Sequence, residues 1–443
     1  MGDKHLYIQT YGCQMNVHDS EKIMTLMRGS GYAPHDNAAE ADLIIINTCS
    51  IREKADQKVY SELGRFRKLK QERPDLMVGI VGCLAQQKGA AFIRKYPCVD
   101  FVVGTHNIHR IPDIVKHVET TRAPMVETAF RESVKSLHMQ PVPQNGNVSA
   151  YVTIMQGCNN FCSFCVVPFL RGKEESRPLQ DIVEEAKALA DYGIREVTLL
   201  GQNVNSYGRT IDGGYDFADL LEKIGAVAGI ERIRFTTSHP KDLSERLMKS
   251  FVNVEKLCEH IHLPVQSGSD RMLRAMNRCY TGEDYLKKAH SLRAICPDIS
   301  ITSDIIVGFP GETEEDFQST LDLMEKIRFD NTFSFKYSER EGTAAIALDG
   351  KVPEGVKRER LQILQSLQGE HTLERNKISV GRVEEVLVEG FSRNSREDVF
   401  GRTRSNRIVN FRGDSSLIGK TVSVSITEAF QHSLKGKLTC IGG

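Results

Sequence analysis

The segment Cys158-Asn-Asn-Phe-Cys162-Ser-Phe-Cys165 constrains this chain more than any other stretch. Three thiols spaced by three residues and then by two can converge on one small metal centre, because so short a loop keeps their sulfurs together. Zinc usually completes a tetrahedron with four protein ligands, whereas an iron–sulfur cluster takes thiolates and can leave one iron without a protein ligand. No fourth Cys or His stands within reach before the next helical stretch, so the spacing points to a cluster with an open iron. The competing readings are half of a zinc site, or three buried cysteines packed as small apolar groups.

This arrangement resembles the radical S-adenosylmethionine superfamily. The resemblance implies that the open iron chelates the amino and carboxylate groups of S-adenosylmethionine. One electron then cleaves that cofactor to a 5′-deoxyadenosyl radical. On this resemblance Cys158, Cys162 and Cys165 are both metal ligands and catalytic residues.

The chain has 443 residues, enough for two or three domains with cores of their own. With 40% apolar and 26% charged residues it has an ordinary globular composition. Its 58 Lys and Arg balance 58 Asp and Glu, so no bulk field attracts an anionic polymer and any nucleic-acid surface must be local. The opening Met1-Gly-Asp-Lys-His has no signal-peptide pattern and no apolar run is long enough to span a bilayer. We therefore expect a cytoplasmic protein without membrane contact. Eleven cysteines, an odd number, favour metal or redox chemistry over a disulfide framework.

Over residues 1–120, short apolar runs alternate with amphipathic helical patterns. Leu6-Tyr-Ile-Gln-Thr, Leu43-Ile-Ile-Ile-Asn, Met77-Val-Gly-Ile-Val and Phe101-Val-Val read as strands. Helices are expected near Asp19 to Arg28 and from about Arg52 to Lys70. All-apolar strands alternating with helices predict an α/β domain with a parallel sheet. Cys13, Cys49 and Cys83 each follow the end of a successive strand. In a parallel sheet those ends share one edge, where open α/β folds bind ligands. The three thiols are thus expected to meet as a second metal site with an open iron, the alternative being three unrelated buried thiols. Cys98 has no such partner and reads as packing.

Residues 121–148, with Pro124, Pro141, Pro143 and the Gln144-Asn-Gly-Asn turn, read as a linker. Over 149–375 the alternation restarts. Tyr151-Val-Thr-Ile-Met, Val197-Thr-Leu-Leu, Ile233-Arg-Phe-Thr-Thr, His260-Ile-His-Leu, Ile301-Thr-Ser-Asp-Ile-Ile-Val and Thr332-Phe-Ser-Phe-Lys-Tyr predict a partial (β/α)6 barrel. Working residues of such barrels stand after the strands. Candidate cofactor contacts there are Gln202, Asn203, Ser238, Gln266, Asp304 and Gly308, with Asn205, His239, Ser267 and Ser269 beside them. Turn formation and helix capping compete for the same residue types. Gly308 and Gly311 allow close backbone approach, which suits an adenine or methionyl edge. His260 and His262 share a strand face without a third ligand and read as structural, while Cys258, Cys279 and Cys296 read as core.

A long amphipathic helix from Pro353 to about Ile378 precedes a β-rich segment, 376–443, that predicts a small β-barrel. Arg393, Arg396, Arg402, Arg404, Arg407 and Arg412 face only Glu397 and Asp398 in their stretch, interleaved with Phe400, Asn406, Asn410 and Phe411. That mixture suits phosphate contact and base stacking on single-stranded RNA, with Arg393, Arg402, Arg404 and Arg407 the candidate RNA contacts. A solvated charged face is the plain alternative. Gly413-Asp-Ser-Ser-Leu-Ile-Gly419-Lys-Thr has one residue too many between its glycines for a phosphate loop and opens no helix.

Taken together these parts resemble the radical S-adenosylmethionine methylthiotransferase family along nearly the whole chain, the C-terminal part being similar to its RNA-binding TRAM domain. The resemblance rests on Thr10-Tyr-Gly-Cys13-Gln-Met-Asn-Val-His-Asp-Ser, Asn47-Thr-Cys49-Ser-Ile-Arg-Glu-Lys-Ala and Ala150-Tyr-Val-Thr-Ile-Met-Gln-Gly-Cys158-Asn-Asn-Phe-Cys162-Ser-Phe-Cys165-Val-Val-Pro. Phe169-Leu170 departs from the Tyr-Thr more usual there.

The resemblance implies two [4Fe-4S] clusters, with S-adenosylmethionine as methyl donor and radical source. It also implies a tRNA anticodon stem-loop as partner, an electron donor such as flavodoxin or ferredoxin, and a sulfur donor. The implied reaction turns the C–H at carbon 2 of N6-isopentenyladenosine, next to the anticodon, into C–S–CH3. An unactivated C–H defeats acid–base catalysis, and the base must leave its stack to be reached. Methylthiolation of a ribosomal-protein aspartate or of another modified tRNA adenosine is the nearest alternative, although the neighbours of Cys13 favour the isopentenyl substrate. A non-catalytic RNA-binding iron–sulfur regulator is the alternative of another class.

Overall fold

The computed structural model describes residues 4–50, 53–131, 133–143, 146–393, 395 and 397–441. Arg52, Gln144, Asn145 and Arg396, named above, lie outside the described residues.

Every position of Leu43–Thr48 and Met77–Gly82 is buried, as expected for central parallel strands covered on both faces. They belong to a six-stranded parallel sheet: β1 (Lys4–Tyr11), β2 (Tyr32–Pro34), β3 (Leu43–Thr48), β4 (Met77–Gly82), β5 (Phe101–Val103) and β6 (Met125–Glu127). The order is β2-β1-β3-β4-β5-β6. Successive residues alternate between faces. Ile44, Ile46, Val78 and Ile80 pack on Val59, Leu63 and Phe66 of the helix Glu53–Glu72. Leu43, Ile45, Met77 and Val81 pack with Ile23 and Met27 of the helix Gln14–Arg28 and Ile114 and Val118 of the helix Ile111–Thr121. β6 lies in the stretch read as linker. Its three residues pair with β5 but none is buried, so they carry no apolar run to read.

The central part holds β7 (Ser149–Thr153), a short hairpin of β8 (Met155–Gln156) and β9 (Glu175–Ser176), then β10 (Glu196–Leu200), β11 (Arg232–Phe235), β12 (His260–His262), β13 (Ser300–Val307) and β14 (Asn331–Lys336). Parallel sheets β11-β10-β7 and β12-β13-β14 meet at a bridge between Ile233 and Leu257. The barrel is therefore partial, with β7 and β14 as its edges. Outward residues such as Val152, Val197, Ile233, Ile261 and Ile301 pack under the helices. The alternate positions Tyr151, Thr198, Arg234, His260, Thr302 and Phe333 face a cavity. Polar inward positions leave this barrel hollow, where a barrel filled by branched apolar side chains would be solid.

The helix Glu354–Lys377 packs along β14 and leads into β15 (Val383–Phe391), β16 (Asp398–Thr403), β17 (Ile408–Arg412), β18 (Thr421–Ala429) and β19 (Leu434–Ile441). They close a barrel in the order β15-β16-β17-β19-β18 around Val386, Val399, Val409, Phe411, Val424 and Leu434. Closure removes exposed strand edges from this small domain. Gly419-Lys420 leads into β18 and not into a helix.

The small barrel is docked on the central one through its arginine-rich turn. Arg234 donates to the carbonyls of Thr403 and Arg404, each at 2.8 Å, and Arg232 to that of Arg402 at 2.7 Å.

Candidate functional site: a chamber with two thiol triads

The first triad is assembled by buried amides. Cys13 caps the helix Gln14–Arg28, and its backbone N–H donates to Asn16 Oδ1 at 3.3 Å. Asn16 Nδ2 donates to Asn47 Oδ1 at 3.0 Å and to the Thr48 carbonyl at 3.2 Å, while Asn47 Nδ2 returns a bond to the Asn16 carbonyl at 2.8 Å. This latch fixes the Cys13 loop to the Cys49 loop. Thr48 Oγ1 donates to the Val81 carbonyl at 3.0 Å, tying in the strand before Cys83. Gly82 has φ +91°, and a Cβ there would lie 2.5 Å from Asn47 Oδ1 and 2.6 Å from the Thr48 carbonyl, so only glycine fits. A hydrogen bond with Cys49 lowers the Cys13 thiol to about 6 against the opposing effect of burial, with the Arg171 charge assisting. Burial raises Cys83, with Arg171 opposing.

The second triad sits on the loop within the β8–β9 hairpin. Gly157, at φ +80°, packs against the Lys173 carbonyl where no Cβ could stand, and its N–H donates to Gln202 Oε1 at 2.5 Å. Phe161 adopts left-handed φ, and Asn277 Nδ2 holds its carbonyl at 3.1 Å. Arg278 places Nη1 3.3 Å from Cys162 Sγ and donates through Nη2 to the Pro264 carbonyl at 2.6 Å. His239 Nε2 lies 3.9 Å from Cys162 Sγ, and burial, followed by the Arg278 charge, lowers that imidazole to about 2. Burial raises the Cys158 thiol and pushes Cys165 up to about 12. Such thiols ionise readily only beside a bound cation.

Cys13, Cys49, Cys83, Cys158, Cys162 and Cys165 all line one cavity of about 870 Å³. Among the described residues no three or more His, Cys, Asp or Glu side chains converge on a single ion. Two sets of three thiols stand in the cavity walls, the donor chemistry of iron–sulfur clusters. Ser238 Oγ is buried in the same wall without a hydrogen-bond partner, a free polar group for a bound organic molecule.

Of the residues singled out from sequence, Gln202, Ser238, Gln266 and Asp304 line this chamber. Asp304 lies 3.4 Å from His262 Nε2, and His262 in turn meets Thr302 Oγ1 at 3.0 Å. Asn203 does not reach the wall. It donates to Asp242 at 2.7 Å and accepts the His239 N–H at 3.0 Å, holding the Ser238-His239 turn from behind. Gly308 also stands away from the wall. Its left-handed φ of +71° and the Lys357 side chain packed on it account for the glycine.

Of the candidate RNA contacts, Arg402 and Arg407 line the chamber, and Arg402, Arg404 and Arg407 are ion-paired. Arg404 pairs with Glu259 at 2.7 Å, Arg407 with Asp330 at 2.5 Å and Arg402 with Glu389 at 3.1 Å. Arg393 is exposed. Cys98, Cys258 and Cys296 are buried as expected, but Cys279 is exposed at φ 57° on the turn after Asn277, so it is not a core residue.

Two arginines at the triads, Arg171 and Arg278, escaped sequence reasoning because neither belongs to a spacing pattern. The Asn16 and Asn47 latch had a faint signal, an amide three residues after one cysteine and two before another.

Residues 5–104 match the uncharacterized protein family UPF0004, residues 152–324 the Radical SAM superfamily and residues 377–439 the TRAM domain. A tRNA-2-methylthio-N(6)-dimethylallyladenosine synthase from Syntrophus aciditrophicus (strain SB) is 61% identical over 437 residues, covering 99% of this chain and 95% of that protein. The chain belongs to the tRNA-2-methylthio-N(6)-dimethylallyladenosine synthase family. The synthase of the same name from Geobacter metallireducens (strain ATCC 53774 / DSM 7210 / GS-15) is 51% identical, with 99% of each chain covered. As a member of this synthase family the protein is a transferase of the radical S-adenosylmethionine methylthiotransferase type. In fold it is similar to the radical S-adenosylmethionine methyltransferase TsrM from Kitasatospora setae, solved with cobalamin and a [4Fe-4S] cluster. That match has a TM-score of 0.56 and 12% identity, covering 86% of this chain and 80% of that one.

Proposed function

We propose that this protein converts N6-isopentenyladenosine next to the tRNA anticodon to its 2-methylthio derivative. Cys158, Cys162 and Cys165 hold one [4Fe-4S] cluster, and Cys13, Cys49 and Cys83 hold a second. The observation that carries this reading is the single chamber into which both sets of thiols open, one set from each domain. When bound, the clusters and S-adenosylmethionine supply the hydrogen-abstracting radical, the methyl group and a site for sulfur that an unactivated C–H requires.

The chain's own residues supply the rest. Arg278 sets a fixed positive charge 3.3 Å from Cys162 Sγ in a buried place. Ser238 Oγ, Gln266 and Asp304 provide polar contacts for the cofactor on the wall beyond the second triad. Leu170, Val166 and Phe164 give the chamber an apolar side that excludes water from reactive species. Exposed Arg393 is placed to meet RNA phosphate, Arg404 and Arg407 pair with Glu259 and Asp330 of the central barrel, and Arg402, paired with Glu389 of its own barrel, lines the chamber. A flavodoxin or ferredoxin as electron donor, a separate sulfur donor and a cytoplasmic location complete the proposal.

The test is to incubate the iron- and sulfide-reconstituted protein with dithionite, S-adenosylmethionine and isopentenylated tRNA, then to weigh the digested nucleosides. The expected result is a 2-methylthio mass gain on the isopentenyladenosine. Unmodified tRNA together with a modified ribosomal-protein peptide would replace this reading with its nearest alternative.

A further inference from the structure

The edge strand β14, Asn331-Thr-Phe-Ser-Phe-Lys336, turns polar residues toward a helix and apolar ones toward open space. Alternate residues of a strand face opposite sides. Ser334 and Lys336 turn to the helix Glu354–Lys377, where Gln365 Nε2 donates to Ser334 Oγ at 3.3 Å and Lys336 pairs with Glu354. Phe333 and Phe335 turn the other way, into the chamber. They are 49% and 41% exposed. The chamber's other two phenylalanines are held differently, since Phe235 is buried and Phe164 packs with Met272, Met276 and Phe309.

Single apolar side chains on a surface need no explanation, but two large rings on one concave wall mark a ligand site. Their neighbours narrow its chemistry. Phe333 pairs in register with Asp304, and its ring meets that of His262 edge to face, with centroids 5.9 Å apart and an interplanar angle of 72°. His262 in turn lies 3.4 Å from Asp304. Phe335 pairs with Ile306, so the wall passes from a polar step to an apolar one along a single strand. The guest that suits such a wall has a flat π-face, polar edge atoms and an apolar extension. An aliphatic chain lacks the first two, and an unsubstituted base lacks the third. Asn406, Arg407 and His432 of the small barrel line the same chamber, so both barrels border the space that this guest would enter.

We propose that Phe333 and Phe335 form the wall that selects the substrate nucleotide, stacking on its extruded adenine and covering its isopentenyl group. The inference rests on the function proposed above and adds to it the side chains that tell a prenylated adenosine from a plain one. Stacking supplies affinity but little choice, because every base has a π-face; the apolar extension supplies the choice. Asp304 is a proposed cofactor contact, so a base stacked on its neighbour Phe333 stands beside the cofactor that must reach carbon 2.

The experiment uses full-length protein, reconstituted with iron and sulfide and held with S-adenosylmethionine but no reductant, so that no turnover occurs. Two fluorescent anticodon stem-loops, alike except for isopentenyladenosine or adenosine at the target position, are titrated by anisotropy. The parent is expected to bind the prenylated RNA about tenfold more tightly. In Phe333→Ala/Phe335→Ala the prenylated RNA should weaken by roughly tenfold or more, and the preference should fall to about one. Phe333→Leu/Phe335→Leu, which restores apolar bulk without the rings, should regain part of the preference. Cleavage of S-adenosylmethionine with dithionite in the absence of RNA should match the parent in both variants.

Variants that keep the parent's preference overturn the proposal, and so does equal weakening of both RNAs with their ratio intact. A loss of RNA-free cleavage also overturns it, since the rings would then belong to the cofactor's site. A parent that binds the two RNAs equally defeats the proposed substrate itself, a failure distinct from that of variants that retain a preference the parent shows.

Discussion

Arg404 of the small barrel grips Glu259 of the central barrel with two nitrogens, Nε at 2.9 Å and Nη2 at 2.7 Å from the carboxylate. Nη2 also reaches the carbonyls of Glu255 and Leu257 at 2.8 and 2.9 Å. Removing the guanidinium strands a half-buried carboxylate and two carbonyls. Arg404→Ala is expected to lower stability by about 1–3 kcal/mol, a range that allows for partial exposure of the pair. Calorimetry should show the loss, while the salt dependence of tRNA binding stays as in the parent. A flatter salt dependence with unchanged stability would return Arg404 to the RNA surface.

Arg393 is the contrasting case, an exposed arginine on the turn after β15. Arg393→Ala is expected to leave stability unchanged and to weaken tRNA binding at low salt. Each lost phosphate contact should reduce the slope of log K against log salt by about 0.7–0.9. Filter binding across a salt series measures it.

Cysteine substitutions separate the two triads. Cys49→Ala is expected to lose about half of the reconstituted iron and to keep S-adenosylmethionine cleavage, and Cys162→Ala to lose the other half together with cleavage. Iron per chain and 5′-deoxyadenosine yield are the measurements. Methylthiolated tRNA from Cys49→Ala would count against sulfur delivery from the first triad.

Glu21 gives a pH dependence. Burial, opposed by Lys22, raises its carboxyl from 4.5 to about 7. The folded state therefore holds this proton more tightly than the unfolded chain. The resulting stabilisation is present below the unfolded value and is lost as pH rises through about 7. Stability of Glu21→Gln relative to the parent should accordingly increase between pH 5 and pH 8, by on the order of 2 kcal/mol. Denaturant titrations at the two pH values check the sign.

Gly82→Ala tests the first triad's scaffold. At φ +91° and with Asn47 Oδ1 and the Thr48 carbonyl inside contact distance, the added methyl must displace the latch beneath Cys83. The expected cost is about 1–3 kcal/mol, with reduced iron uptake at the first triad. Iron content measured beside a stability curve separates the two effects.

What was legible in the sequence was local or periodic. Leu43-Ile-Ile-Ile reads as a buried strand because no polar position interrupts it, and the ends of Lys4–Tyr11, Leu43–Thr48 and Met77–Gly82 bring Cys13, Cys49 and Cys83 to one wall. The Cys158 loop declares itself by spacing alone. Relations between distant residues were not legible. The C-terminal arginines carry the same letter whether they face solvent, like Arg393, or, like Arg404 and Arg407, carboxylates supplied from Glu259 and Asp330 far away in the chain. Gly308 shows the same limit: its φ was foreseeable, but its packing against Lys357 of a later helix was not. Arg171 and Arg278 gain their meaning only once folding has set them beside sulfur.

The helix Val167–Arg171 is joined to Cys165 through the chain at one end and clasped by Thr105, His106 and Asp19 at the other. It works as a rigid spacer whose length sets the gap between the two thiol triads when the protein folds. Neither triad can approach the other without tearing that clasp. In the proposed reaction the travelling parts would then be the small molecules and the nucleotide, with no closing stroke of the protein.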